Sequence, residues 1–118
     1  MFGRDQPPSP VLETIVEADA VRIRLGRCLV LENSLALHET LMAQLRQSPP
    51  TAKLTLDLSA AERIDTAGVA AILDCFVQAR RAKVEVVLEG VGPPAVRMFE
   101  LFHLGPLLHT DKGVSGPV

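Results

Sequence analysis

Leu54-Thr55-Leu56-Asp57-Leu58-Ser59-Ala60-Ala61-Glu62-Arg63-Ile64-Asp65-Thr66-Ala67-Gly68 is the stretch that decides how this chain folds. Leu54, Leu56 and Leu58 alternate with Thr55 and Asp57, the period-two pattern of a half-buried strand, predicted over 53–58. A short polar loop follows. Asp65-Thr66-Ala67-Gly68 then opens a helix predicted over 66–81, in which Val69, Ile72, Leu73, Phe76 and Val77 form one apolar stripe. Asp65 has the side chain of an N-cap, which puts Thr66, Ala67 and Gly68 in the first turn, where backbone N–H groups have no helical partner. One hydroxyl, on Thr66, thus stands at the positive end of a helix beside an acid and a glycine. A phosphate there adds about −1.5 to −2 charge, tolerated by the helix dipole and plain to a docked partner. The same four residues also suit an ordinary helix cap with a close-packing glycine, so by themselves they leave both readings open.

Working outward, residues 11–17 read as a first strand, Glu17-Ala18-Asp19 as a turn, and 20–25 as a second strand. In that second strand Val21, Ile23 and Leu25 share one face, with Arg22 and Arg24 on the other. Residues 28–31 read as a short extension of the sheet. Leu37, Leu41 and Leu45 recur at helical spacing, which predicts a helix over 34–47, capped by Asn33 or Ser34 and stopped by Ser48-Pro49-Pro50. Residues 84–89 form another strand, Val84, Val86 and Leu88 opposite Glu85 and Glu89. Pro93-Pro94 starts a third helix, Gly105-Pro106 closes it, and 106–109 reads as a last short strand. Strict alternation marks strands covered on one side, so the helices are expected mainly on one face of the sheet and the charged residues on a more open one. There Arg22 and Arg24 can pair with Glu85 and Glu89, each pair contributing about 0.2–1 kcal/mol. The expected fold is α/β: a mixed sheet of four to five strands that begins with a β-hairpin and continues through βαβ crossovers.

The length of 118 residues suits one domain, expected over 11–110, between flexible segments at 1–10 and 111–118 that are rich in Pro, Gly and polar residues. With no Trp or Tyr, four Phe and a net charge of −2, the chain lacks both the stacking aromatics and the basic footprint of a nucleic-acid binder. No apolar run approaches the roughly 20 residues of a membrane span, and the N-terminus has charge and proline where a signal peptide needs apolar residues. The expected location is cytoplasmic, with no direct membrane insertion. Cys28 and Cys75 read as buried small hydrophobes.

With the element order in place, Leu54-Thr55-Leu56-Asp57-Leu58-Ser59 followed by Ile64-Asp65-Thr66-Ala67-Gly68-Val69 resembles the signature of STAS domains, shared by sulfate transporters and anti-sigma-factor antagonists. The resemblance covers roughly 12–109 and includes the opening hairpin and Leu88-Glu89-Gly90-Val91. It implies a non-enzymatic regulatory or protein-interaction module, with Asp57, Ser59, Asp65, Thr66, Ala67 and Gly68 at the partner interface. In antagonist members, the residue matching Thr66 is phosphorylated by a partner serine kinase that is itself the anti-sigma factor, and phosphorylation releases it. The common residue there is Ser; Thr keeps the hydroxyl and adds a methyl group. A second branch with Thr is similar to the small STAS subunit of Mla-type phospholipid-transport ABC complexes, which docks on the ATPase. A third is the cytoplasmic tail of sulfate permeases.

The other motifs carry less. Gly90-Val91-Gly92-Pro93-Pro94-Ala95 mimics a dinucleotide fingerprint, but prolines fill its variable positions and no βαβ unit follows. His38, His103 and His109 lack metal-ligand spacing, and Asp57 and Asp65 read as a strand end and a cap rather than an acid/base pair. No catalytic residue, metal or cofactor is expected. Arg80-Arg81-Ala82-Lys83 suits the C-terminal end of a helix. Met98, Phe99 and Phe102 read as core, yet the run from Phe99 to Leu104 is apolar on nearly all sides, which offers a surface to a partner or to a second copy in a homodimer.

Overall fold

The computed structural model describes residues 8–50 and 52–106. The flexible tail expected at 111–118, most of the strand expected at 106–109, and residues 1–7 lie outside the described residues. Residues 8–10, assigned from sequence to the loose N-terminal segment, carry hydrogen bonds into the fold: Pro8 O accepts from Asn33 Nδ2 at 2.9 Å and Pro10 O from the Gly26 N–H at 2.8 Å.

The elements run β1 (Val11–Glu17), β2 (Ala20–Leu25), β3 (Cys28–Leu29), α1 (Leu31–Gln47), β4 (Lys53–Asp57), β5 (Arg63–Ile64), α2 (Thr66–Ala82), β6 (Glu85–Glu89) and α3 (Pro93–Leu101). The main sheet has the order β1-β2-β4-β6, with an antiparallel hairpin at one edge and parallel pairing thereafter. Val21, Ile23, Leu25, Leu54, Leu56, Val86 and Leu88 point to one side of it. Leu37, Leu41 and Leu45 of α1, Val69, Ile72 and Phe76 of α2, and Phe99 of α3 close the same core. Val77 departs from the predicted stripe and is exposed. Cys75 is buried, and that burial pushes its thiol up to about 12, while Cys28 is only half-buried.

Three boundaries differ from the sequence reading. Residues 28–31 do not extend the main sheet: Cys28 and Leu29 pair in parallel with Arg63 and Ile64 to form a separate two-stranded sheet. The chain is turned toward β5 because Arg27 O accepts both the Glu62 N–H at 2.7 Å and the Arg63 N–H at 3.0 Å. Helix α1 starts at Leu31, so Asn33 and Ser34 sit inside its first turn rather than before it. Asn33 still caps, since its Oδ1 accepts the Val30 N–H at 3.0 Å while its Nδ2 donates to Cys28 O at 2.8 Å. Helix α3 stops at Leu101, before the Gly105-Pro106 expected to close it. His103 takes a left-handed φ of 60°, and the His103 and Leu104 N–H groups fold back onto Glu100 O and Phe99 O, which ends the helix.

The face of the sheet away from the helices is less open than alternation implies. Thr55 and Asp57 of central β4 are 7% and 9% exposed, and Val87 of β6 is 1% exposed. Arg22 reaches across β4, with Nη1 2.7 Å from Glu89 and Nη2 3.2 Å from Asp57. The expected cross-strand pairing is therefore made by Arg22, and among the described residues no ion pair joins Arg24 to Glu85. Burial alone would push the Asp57 carboxyl up. The Ser59 N–H at 2.9 Å, the Ser59 hydroxyl and the Arg22 guanidinium outweigh burial and hold it below the usual carboxylate range. Gly90, at φ +65°, lets β6 end against this cluster; a Cβ there would lie 2.9 Å from Ser59 N and 3.0 Å from Asp57 Oδ1.

A second close approach seats α2. A Cβ on Gly68 would lie 2.2 Å from the Leu29 carbonyl oxygen, so only glycine lets the first turn of α2 rest on β3.

Gly68→Ala is expected to destabilise the fold by about 1–3 kcal/mol through this clash, and an unchanged urea midpoint would contradict it. Asp57→Asn is expected to cost about 1–3 kcal/mol at pH 7. Because the folded Asp57 titrates below its unfolded value of about 4, its contribution is full above that pH and disappears as pH falls through the folded value. Thermal melts of both proteins should diverge at pH 7 and converge in acid; a constant gap would exclude the charge as the cause.

Candidate functional site

Asp65 precedes α2 in extended conformation and its carboxylate is shared between two helices. Oδ1 accepts the Ala67 N–H at 3.0 Å and the Gly68 N–H at 3.2 Å, which caps α2. Oδ2 accepts the Leu31 N–H at 3.0 Å, the first residue of α1. The Asp65 N–H donates to Leu29 O at 3.1 Å, which ties the same residue to β3. Thr66 follows as the first residue of α2 and is exposed, while Ala67 is half-buried and Gly68 buried.

Helices α1 and α2 start together at this carboxylate and run in the same direction. Further along, His38 Nε2 lies 2.5 Å from Asp74 Oδ2, and Gln78 Nε2 donates to Asp74 Oδ1 at 3.3 Å. The hydrogen bonds from His38 and Gln78 hold the Asp74 carboxyl below its ordinary value. Between the two cross-helix links lie exposed Thr66 and Ala70, four residues apart on α2, and Leu31 and Leu35, four residues apart on α1. Leu31 is 71% and Leu35 69% exposed, an apolar strip at the start of the helix whose first N–H is bonded to Asp65. On the other side of Asp65 an open groove is lined by Val30, Ile64, Arg97, Met98 and Leu101, the last well exposed on α3.

The six residues expected at an interface fall into two clusters at the ends of the parallel strands. Asp65, Thr66, Ala67 and Gly68 gather at the start of α2, and only Thr66 among them offers an exposed side chain. Asp57 and Ser59 form the other cluster with Arg22 and Gly90; Ser59 is exposed, whereas the Asp57 carboxylate is taken up by its neighbours. Asp57 and Asp65 are thus not opposed as an acid/base pair. Among the described residues no group of His, Cys, Asp and Glu could hold a metal ion. Phe99 is core, as expected, but Phe102 is exposed and Met98 only half-buried. Leu31 and Leu35 were not anticipated. Leu35 sits out of phase with the Leu37-Leu41-Leu45 stripe, a signal that it faces outward. Leu31 lies before the predicted start of its helix and gave none.

Among the described residues no helix is long and apolar enough to cross a membrane. No curated protein matches the chain at a significant level. Solved structures share its fold. The anti-sigma factor antagonist SpoIIAA in its unphosphorylated form is 18% identical, with a TM-score of 0.69 over 80% of this chain and 83% of that one. The phosphorylated form of SpoIIAA from Bacillus gives 17% and 0.64, over 80% of this chain and 86% of that one. A sulfate transporter family protein from Wolinella succinogenes is 14% identical, with a TM-score of 0.65 over 82% of this chain and 77% of that one. Against Mglu the chain spans only 20% of that protein's length, with 71% of itself covered, at 21% identity and a TM-score of 0.60. In sequence, residues 15–109 match the family model described as the MlaB STAS domain, a span that holds the central strand, the shared Asp65 carboxylate and exposed Thr66, and the chain belongs to the STAS family.

Proposed function

We propose that this chain is a non-enzymatic, cytoplasmic regulatory module of the anti-sigma-factor-antagonist type. It works by docking on a protein partner, an anti-sigma factor that is also a serine kinase, with Thr66 as its phosphorylation switch. The observation that carries this is Thr66 itself. Its hydroxyl is exposed at a helix N-terminus whose cap and close-packed glycine are both committed to structure. The existence of SpoIIAA in unphosphorylated and phosphorylated forms supports a phosphorylation cycle on this fold. Exposed Leu31 and Leu35 at the start of α1 and Ala70 on α2 supply apolar area for a docked partner, and a phosphate carried into that contact would leave charge buried without a counter-ion. Asp65, Ala67 and Gly68 build the site, and Asp57 and Ser59 hold the neighbouring strand end.

A second reading is favoured by the family match. As the STAS subunit of an Mla-type ABC complex, the chain would place the same surface on the ATPase, with Thr66 as a contact residue and no phosphorylation cycle.

Both readings are tested by recovering partners on tagged full-length chain. Thr66→Glu should reduce the recovered partner at least ten-fold, since a charge left unpaired in an interface costs about 2–5 kcal/mol. Thr66→Ala should retain it. A serine kinase in the eluate together with phosphate on Thr66 by mass spectrometry supports the switch. An ABC ATPase with its permease and unmodified Thr66 supports the transporter subunit. Full retention of every partner by Thr66→Glu overturns both.

A further inference from the structure

We infer that Asp65 is a positioning residue that couples Thr66 to helix α1, so that charge on Thr66 loosens the start of α1 and displaces Leu31 and Leu35. This deepens the docking reading above and rests on it. One carboxylate divides its two oxygens between two helices: Oδ1 takes the Ala67 and Gly68 N–H groups of α2, and Oδ2 takes the Leu31 N–H of α1. Leu31 opens α1, so its N–H has no acceptor within its own helix. Asn33 does not serve it, because the Asn33 Oδ1 is taken by the Val30 N–H. The start of α1 therefore depends on a group that belongs to α2.

Thr66 is the next residue after that carboxylate. A phosphate on its oxygen repels the Asp65 charge and turns the carboxylate away from itself. The bonds to Ala67 and Gly68 close short local rings, two and three residues long, whereas the bond to Leu31 spans 34 residues and holds only while the carboxylate keeps its present orientation. The long-range bond is the one released. Leu31 and Leu35, the apolar strip at the start of α1, then lose the contact that sets their place relative to α2. A phosphate so acts twice, by its own charge at the interface and by moving the leucines of α1.

The test needs no partner: backbone amide hydrogen exchange by NMR on the free, full-length chain. Thr66→Glu should speed exchange at the Leu31 amide about five-fold, the equivalent of one ordinary hydrogen bond, while Thr66→Ala leaves it unchanged. Asp65→Asn keeps one oxygen for α2 but turns an NH2 toward Leu31, and should give the same change. In the Asp65→Asn background, adding Thr66→Glu should produce no further change at Leu31, a result that a merely structural Asp65 would not give. The amides of Ile72 and Cys75, deep in α2, should hold their protection throughout and report an intact fold. An unchanged Leu31 amide in Thr66→Glu overturns the coupling, as does an undiminished effect of Thr66→Glu without the Asp65 carboxylate. Lost docking with an unchanged Leu31 amide would overturn the coupling alone, and an altered amide with full docking would overturn the docking reading alone.

Discussion

A single carboxylate organises the place where helices α1 and α2 begin. Helix starts leave N–H groups without partners, and burying or crowding them is unfavourable unless an acceptor is supplied. Asp65 supplies it twice, to the first turn of α2 and to the first residue of α1, while its own N–H is spent on β3. The starts of two helices and the end of β3 are joined at this one residue. Gly68 completes the junction by letting α2 lie against the Leu29 carbonyl at a distance no side chain permits.

The sheet serves as a rigid platform for that junction. Its central strand β4 is buried on both faces, by the helical core on one side and under the Arg22 bridge to Asp57 and Glu89 on the other. Strand β4 therefore delivers the loop before α2 to a fixed place. With Asp57 tied to Ser59 and Arg22, its carboxylate carries structure, while Thr66 at the head of α2 is exposed. Such a division suits a module that presents a surface: the charged groups are satisfied internally and the hydroxyl stands free of them.

Much of this was legible in the residues. Period-two alternation marked β2, β4 and β6, and the helical stripe of α1 was read from Leu37, Leu41 and Leu45, because half-buried elements write their geometry into the order of apolar residues. Asp65 was legible as a cap, since a cap is a local relation of two or three residues. The short β3 and β5 were not assigned as a pair, because two-residue strands have no period to read and their partner lies 35 residues away. The start of α1 was misplaced for a related reason: its first N–H is satisfied from another element, so no residue next to Leu31 announces the boundary.

By itself the sequence determined the fold class, the hairpin opening and the position of Thr66 at the head of a helix, all of which rest on local pattern and local hydrogen bonding. Only the tertiary structure decided that Asp57 and Ser59 gather with Arg22 and Gly90, and that the start of α1 at Leu31 is brought to the Asp65 carboxylate. It alone decided that one acid caps two helices. These are relations between segments 30 or more residues apart, such as the 34 between Leu31 and Asp65, and they are set by how the helices pack on the sheet, which no single stretch of chain encodes.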